Sequence, residues 1–149
     1  MGLDNGVVVV YDISKKDDKK SIWIPSVLYE NTDWMYVEEK NGISCIRAEV
    51  VYWRKWWGVR NEVMRALSNN ENEEYHIPLN ITDCYVIIEA LREFDNEKKW
   101  EEEGDSIWEY KDAHIHRQIL NDIEALKGII RLLQDADPRI VEVYFYDSY

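Results

Sequence analysis

At 149 residues the chain has the length of one domain and can bury a core, so residues 1–149 read as a single domain. Thirty acidic against 18 basic side chains leave a formal charge of −12, yet 46% apolar content is too high for a disordered acidic tail. No apolar run approaches the roughly 20 residues of a membrane span, no secretory leader is recognisable, and Cys45 and Cys84 are too few for a disulfide framework. The expectation is a cytoplasmic protein without membrane association, its thiols buried and reduced.

Seven Trp and ten Tyr against two Phe is an unusual balance. Both favoured rings carry a polar handle that suits interfaces and ligand pockets, although a small domain can also fill its core with them.

Taken in chain order, Val7 to Ile13 is short and β-branched and predicts a strand. Ser14 to Lys20 is a mixed-charge connection. Ile22, Trp23 and Ile24 run into Pro25, which predicts an edge strand or irregular chain. Trp34 to Val37 is a further short strand, closed by the Asn41-Gly42 turn signal.

From Ile43 the period changes. Ile43, Ile46, Val50, Trp53, Trp57, Arg60 and Met64 recur at spacings of 3 and 4, which predicts one helix from about 44 to about 68. Ser68, Asn69 and Asn70 end it, because short polar side chains favour caps and turns. Tyr75 to Leu79 is extended, and Asn80 with Asp83 forms a capping pair for a second helix reaching about Phe94. Asp95 to Asp105 is a charge run whose only apolar side chain is Trp100. Ser106 with Glu109, or Asp112, starts a third helix carrying Ile115, Ile119, Ile123, Leu126, Ile130 and Leu133. Asp137-Pro138 stops it, and Val141 to Tyr146 is a final strand. Short N-terminal strands, three main helices and a C-terminal strand without βαβ alternation give an α+β fold.

Chemistry-bearing motifs are few. His114 and His116 lie two apart, about 200° round a helix axis, which is the wrong spacing for a ligand pair, and His76 is distant in sequence. Cys45 and Cys84 fall in apolar patterns where a thiol is inert packing. Phosphate-loop, nucleophile-elbow and zinc-helix motifs do not occur. Catalytic residues, metal and cofactor are therefore not expected.

The best local signal is Tyr52 to Arg60, with three Trp, one Tyr and three cations in nine residues. On a helix, Trp53, Trp57 and Arg60 share a face, and a ring beside a guanidinium can stack a base and pair a phosphate. Gly58 within that helix costs about 1 kcal/mol against Ala, which suggests close approach of a ligand or a neighbouring backbone. The candidate ligand-binding set is Tyr52, Trp53, Arg54, Trp57 and Arg60. The plainer reading is a packed amphipathic helix with a cationic outer edge.

Glu49 followed by Tyr52-Trp53-Arg54-Lys55 resembles the E-x-x-Y-W-R-K-A-N segment of a family of small phage and prophage proteins. The order of later pieces over roughly residues 43–149 is similar as well. Trp56 and Trp57 stand where the family has small and Asn residues, and Arg60 stands near a usual His. The resemblance implies phage origin and a bacterial host cytoplasm.

Two functions follow as expectations. One is a non-enzymatic counter-defence protein that sequesters a small phosphorylated nucleotide signal through the Trp/Arg set, with His114 or His116 at the pocket edge. The other is an acidic, nucleic-acid-mimicking inhibitor that docks on a host defence protein through Asp95, Glu97, Glu101, Glu102, Glu103 and Asp105. A nucleotide-directed enzyme with a His base is a third class. Direct nucleic-acid binding is disfavoured by the net charge, and the aromatic excess predicts a homodimer.

Overall fold

The structure, a computed structural model, describes residues 4–14, 24–30, 34–40, 42–54, 57–67, 76–97 and 112–148. The strands are β1 (Asp4–Asp12), β2 (Trp34–Lys40), β3 (Ile43–Arg54), β4 (His76–Pro78) and β5 (Ile140–Ser148). They form one antiparallel sheet in the order β2-β3-β1-β5-β4. The helices are α1 (Trp57–Ala66), α2 (Ile81–Asn96) and α3 (Asp112–Gln134). The fold is α+β.

β1 holds the centre because Val7 to Val10 are β-branched and can be buried on both faces. Its inward side chains, Val7, Val9 and Tyr11, meet Ile46, Ala48, Val51 and Trp53 of β3, Val143 and Phe145 of β5, and the helix stripes. The α3 stripe is the one visible in the sequence: Ile115, Ile119, Ile123, Leu126 and Ile130 are all buried. α2 starts on the expected cap, with Asp83 N–H donating to Asn80 Oδ1 at 2.8 Å and Asn80 N–H to Asp83 Oδ2 at 3.0 Å. Gly42 sits at φ +75°, the left-handed region its turn requires. After Pro25 the chain makes a 3-10 turn, Ser26–Leu28, that inserts Leu28 into the core.

The helix predicted over 44–68 is corrected. Residues 43–54 are a strand, and only Trp57–Ala66 is helical. The reason is a β-bulge. Val7 pairs with Val51 but Val8 pairs with Glu49, so Val50 is an extra residue opposite β1. Inward residues alternate as Ile46 and Ala48 before the bulge, then as Val51 and Trp53 after it. The phase change turns a period of two into the 46, 50, 53 spacing of a helix. Gly58 accordingly lies at the start of α1 rather than within a long helix.

Several expectations fall on residues outside those described. These are the mixed-charge connection beyond Ser14, Ile22 and Trp23, Lys55 and Trp56, the Ser106/Glu109 cap, and the acidic run beyond Glu97.

Candidate ligand-binding face

Among the described residues the helices pack on one face of the sheet, against the inward residues of β1, β3 and β5. The opposite face carries its own side chains in rows across the strands. One row runs Trp34, Glu49, Val8, Tyr144. The next runs Tyr52, Gly6, Tyr146, His76, and a third Tyr36, Arg47, Val10, Glu142. Neighbours in such rows stand about 5 Å apart, close enough for rings and long side chains to touch. Strand alternation and the pairing of β2, β3, β1 and β5 together gather five aromatic rings onto one surface.

These rings line a cleft of about 640 Å³ with Asp4, Val8, Arg47, Glu49, His76 and Ser148. Val8 and Val10 are buried beneath it, packed with Tyr144 and Tyr146. Gly6 interrupts the aromatic row because a Cβ there would lie 2.1 Å from the Val51 carbonyl oxygen at the bulge. Trp34 and Tyr36 stack with centroids 5.1 Å apart and planes 22° apart, and both stay exposed, at 39% and 45%.

The polar groups are tightly organised. Tyr146 hydroxyl donates to Glu49 Oε2 at 2.6 Å, and Glu49 is fully buried. Burial, reinforced by that hydrogen bond and the Glu49 charge, pushes the Tyr146 hydroxyl far above the ordinary phenol range. Tyr52 hydroxyl donates to Asp4 Oδ1 at 2.6 Å. Arg47 bonds Glu38 Oε2 through Nε and Nη2 at 3.2 and 3.1 Å, and its Nη1 donates to the Tyr144 hydroxyl. Burial works against the Arg47 charge, yet Tyr144, Glu38 and Tyr36 together hold its pKa above the usual value. Burial also raises Tyr144, an effect Arg47 partly opposes. His76 lies parallel on the Tyr144 ring at 3.9 Å and 13°, its Nε2 against Glu142 Oε1.

Of the five residues singled out in the sequence, Tyr52 lines this cleft. Trp53 points through the sheet to the other side, 1% exposed, with its ring 6.5 Å from Phe145. Arg60 sits on α1 and grips the buried Asp147 of β5 through Nε and Nη2 at 2.8 to 3.3 Å. Arg54 ends β3 and Trp57 begins α1, and their side chains lie outside the described residues. Tyr52 and Trp53 are thus on opposite faces of a strand, not neighbours on a helix. The residues missed were Trp34, Tyr36, Arg47, Glu49, Tyr144 and Tyr146. The alternation of Tyr144 and Tyr146 with Val143 and Phe145 was the available signal, since it puts the two hydroxyl-bearing rings on one face.

His114 and His116 are both exposed on α3, with His116 Nδ1 2.6 Å from Asp95 Oδ2. Among the described residues no group of three or more His, Cys, Asp or Glu could hold a metal ion, and no helix is long and apolar enough to cross a membrane. Cys45 and Cys84 are both free thiols, Cys45 half-buried and Cys84 buried. Comparison with protein families, curated proteins and solved structures found no match for the chain.

Proposed function

We propose that the protein acts by binding rather than by catalysis, holding a flat, ring-bearing ligand of the nucleotide type on the open face of its sheet. The observation that carries this reading is the convergence of Trp34, Tyr36, Tyr52, Tyr144 and Tyr146 on one cleft of ligand size. Each stacked ring is worth about 1–3 kcal/mol to such a ligand. Together with the resemblance to small phage proteins, this supports a counter-defence role in which a host nucleotide signal is sequestered.

A specific observation also favours the second reading, an acidic inhibitor of a host defence protein. Asp4, Glu38, Glu49 and Glu142 stand in or beside the same cleft, on a chain of net charge −12. On that reading a basic protein surface takes the place of the small ligand.

Calorimetry with nucleosides and cyclic nucleotides, run on the wild type and on Trp34→Ala, separates the two. Ring binding lost in Trp34→Ala supports sequestration. No heat with any ring-bearing compound, beside capture of a basic host protein, leaves the inhibitor.

A further inference from the structure

Independently of the ligand reading, we infer that β2 is the joint of a symmetric dimer. Its outer edge pairs antiparallel with β2 of a second copy of this chain, centred on Tyr36, so that the two five-stranded sheets run on as one.

The strand order leaves β2 with β3 on one side and no described strand on the other. Its register with β3 is unbroken from Trp34 to Lys40, so the outer backbone groups form a regular row of donors and acceptors. Such edges are normally blunted by brevity, proline, a bulge or charge. β4, at the opposite edge, has the first two: three residues ending in Pro78, which has no N–H to give. Over Trp34 to Val37, β2 has none of these devices.

The side chains point the same way. Trp34 and Tyr36 stand on the open face, opposite Glu49 and Arg47. Met35 and Val37 stand on the helix side, opposite the buried Ala48 and Ile46, yet are 44% and 64% exposed, so the described helices stop short of β2. Four successive apolar residues are thus exposed over both faces of one edge, a contiguous patch rather than scattered surface residues.

A second copy fits this edge because the strand is complementary to itself. Turned about Tyr36, it sets Met35 against Val37 of the partner subunit on the helix side. On the open face Tyr36 meets Tyr36 of the partner subunit, and Trp34 meets Glu38 of the partner subunit. Trp34 brings an indole donor to a carboxylate whose Arg47 bonds both end on Oε2. In this register no acidic side chain faces another. Turning about Val37 would set Glu39 against the apolar Met35, and turning about Met35 would pair only Trp34 to Tyr36 of the strand. Parallel pairing in register would range Glu38 and Glu39 beside their own copies. Antiparallel pairing keeps like faces on one side, so the partner subunit's Tyr36 extends the Trp34 and Tyr36 wall of the cleft. A single-strand joint is small beside the roughly 800 Å² per partner of a standard interface. Two chains of −12 also repel, so the dimer is weak and favoured by salt.

The test is sedimentation equilibrium of the full chain over a concentration series at low and moderate salt. Met35→Lys, Val37→Glu and an equimolar mixture of the two are run beside it. The wild type should pass from monomer to dimer in the micromolar range, at lower concentration in the higher salt. Each variant alone should dimerise at least about tenfold more weakly, because it sets a charge against an apolar partner. Both side chains are exposed, so circular dichroism and thermal melts should match the wild type. The mixture should recover dimer as a heterodimer, since the introduced lysine of one chain meets the introduced glutamate of the other while the second Met35–Val37 pair stays native. Met35→Lys reduces the net negative charge and Val37→Glu increases it, so association governed by net charge alone would strengthen in the first. That result overturns the inference. So does a wild type that stays monomeric throughout the series, a dimer that neither variant weakens, or a mixture no more associated than its parts.

Discussion

Trp53 on β3 donates its indole N–H to Asp122 of α3 at 2.9 Å, and both side chains are buried. Gln118 Nε2 donates to the other carboxylate oxygen at 2.8 Å. The pair joins the sheet to its longest helix, so Trp53 works in the core. Trp53→Ala should cost about 3–5 kcal/mol through cavity formation alone. Trp53→Phe keeps most of the volume but withdraws a donor from a buried carboxylate, at about 1–3 kcal/mol. Chemical denaturation of the two variants measures both, and a loss under about 0.5 kcal/mol for Trp53→Ala, the range of a neutral surface change, contradicts this placement.

Arg60 and Asp147 make the corresponding joint between α1 and β5. Asp147 is 3% exposed, so Arg60→Ala leaves a carboxylate in the interior without its main partner. The expected cost is about 3 kcal/mol, towards the low end for a broken buried pair because the Arg60 side chain is partly exposed. Adding Asp147→Asn to Arg60→Ala should recover part of that loss. A double variant no more stable than the single one would show that the charge is not the cause.

Gly6 allows the bulge of β3 to sit against β1. A methyl group at this position meets a backbone carbonyl at 2.1 Å, and backbone yields less readily than a side-chain tip. Gly6→Ala should therefore destabilise by more than about 2 kcal/mol. Thermal melts will show it, and an unchanged melting temperature would mean that the bulge relaxes without cost.

The exposed rings make the opposite prediction. Trp34→Ala and Tyr36→Ala remove side chains at the sheet edge that no core contact needs, so stability should change by no more than about 0.5 kcal/mol. Binding of a ring-bearing ligand should weaken by about 1–3 kcal/mol in each. Calorimetry beside a melt checks the two halves separately, and a large stability loss with binding intact would reverse the assignment.

Alkaline pH should unfold the protein through its buried acids. Burial, with Asp83 adding to it, holds the Cys84 thiol up at about 12 against an ordinary 9.0, and Tyr11, Tyr144 and Tyr146 are all raised from 10.0. These groups bind their protons more tightly in the folded state, so their contribution is complete below the unfolded pKa and falls as pH rises beyond it. Stability should therefore start to decline as pH passes about 9 and decline more steeply above about 10. Tyrosinate absorbance followed against circular dichroism will reveal whether ionisation and unfolding coincide. Full ionisation of all ten tyrosines with the fold intact would contradict it. Below this range, iodoacetamide should leave native Cys84 unlabelled.

Local patterns that need no partner were legible in the sequence. The Asn80/Asp83 cap is a contact three residues apart, and the α3 stripe and the β-branched run of β1 each express a single unbroken period. From these the α+β class follows. β3 defeated the same reasoning because one extra residue, Val50, shifted its phase, and because a bulge exists only relative to the strand beside it. The aromatic face was hidden for a related reason. Glu49 and Tyr146, bonded at 2.6 Å, lie 97 positions apart, and nothing near either residue marks the other. Sequence periodicity can establish that Tyr144 and Tyr146 share a face. Which strands flank them, and hence which rings and carboxylates share that face, is decided by the order in which long-range backbone hydrogen bonds join the sheet.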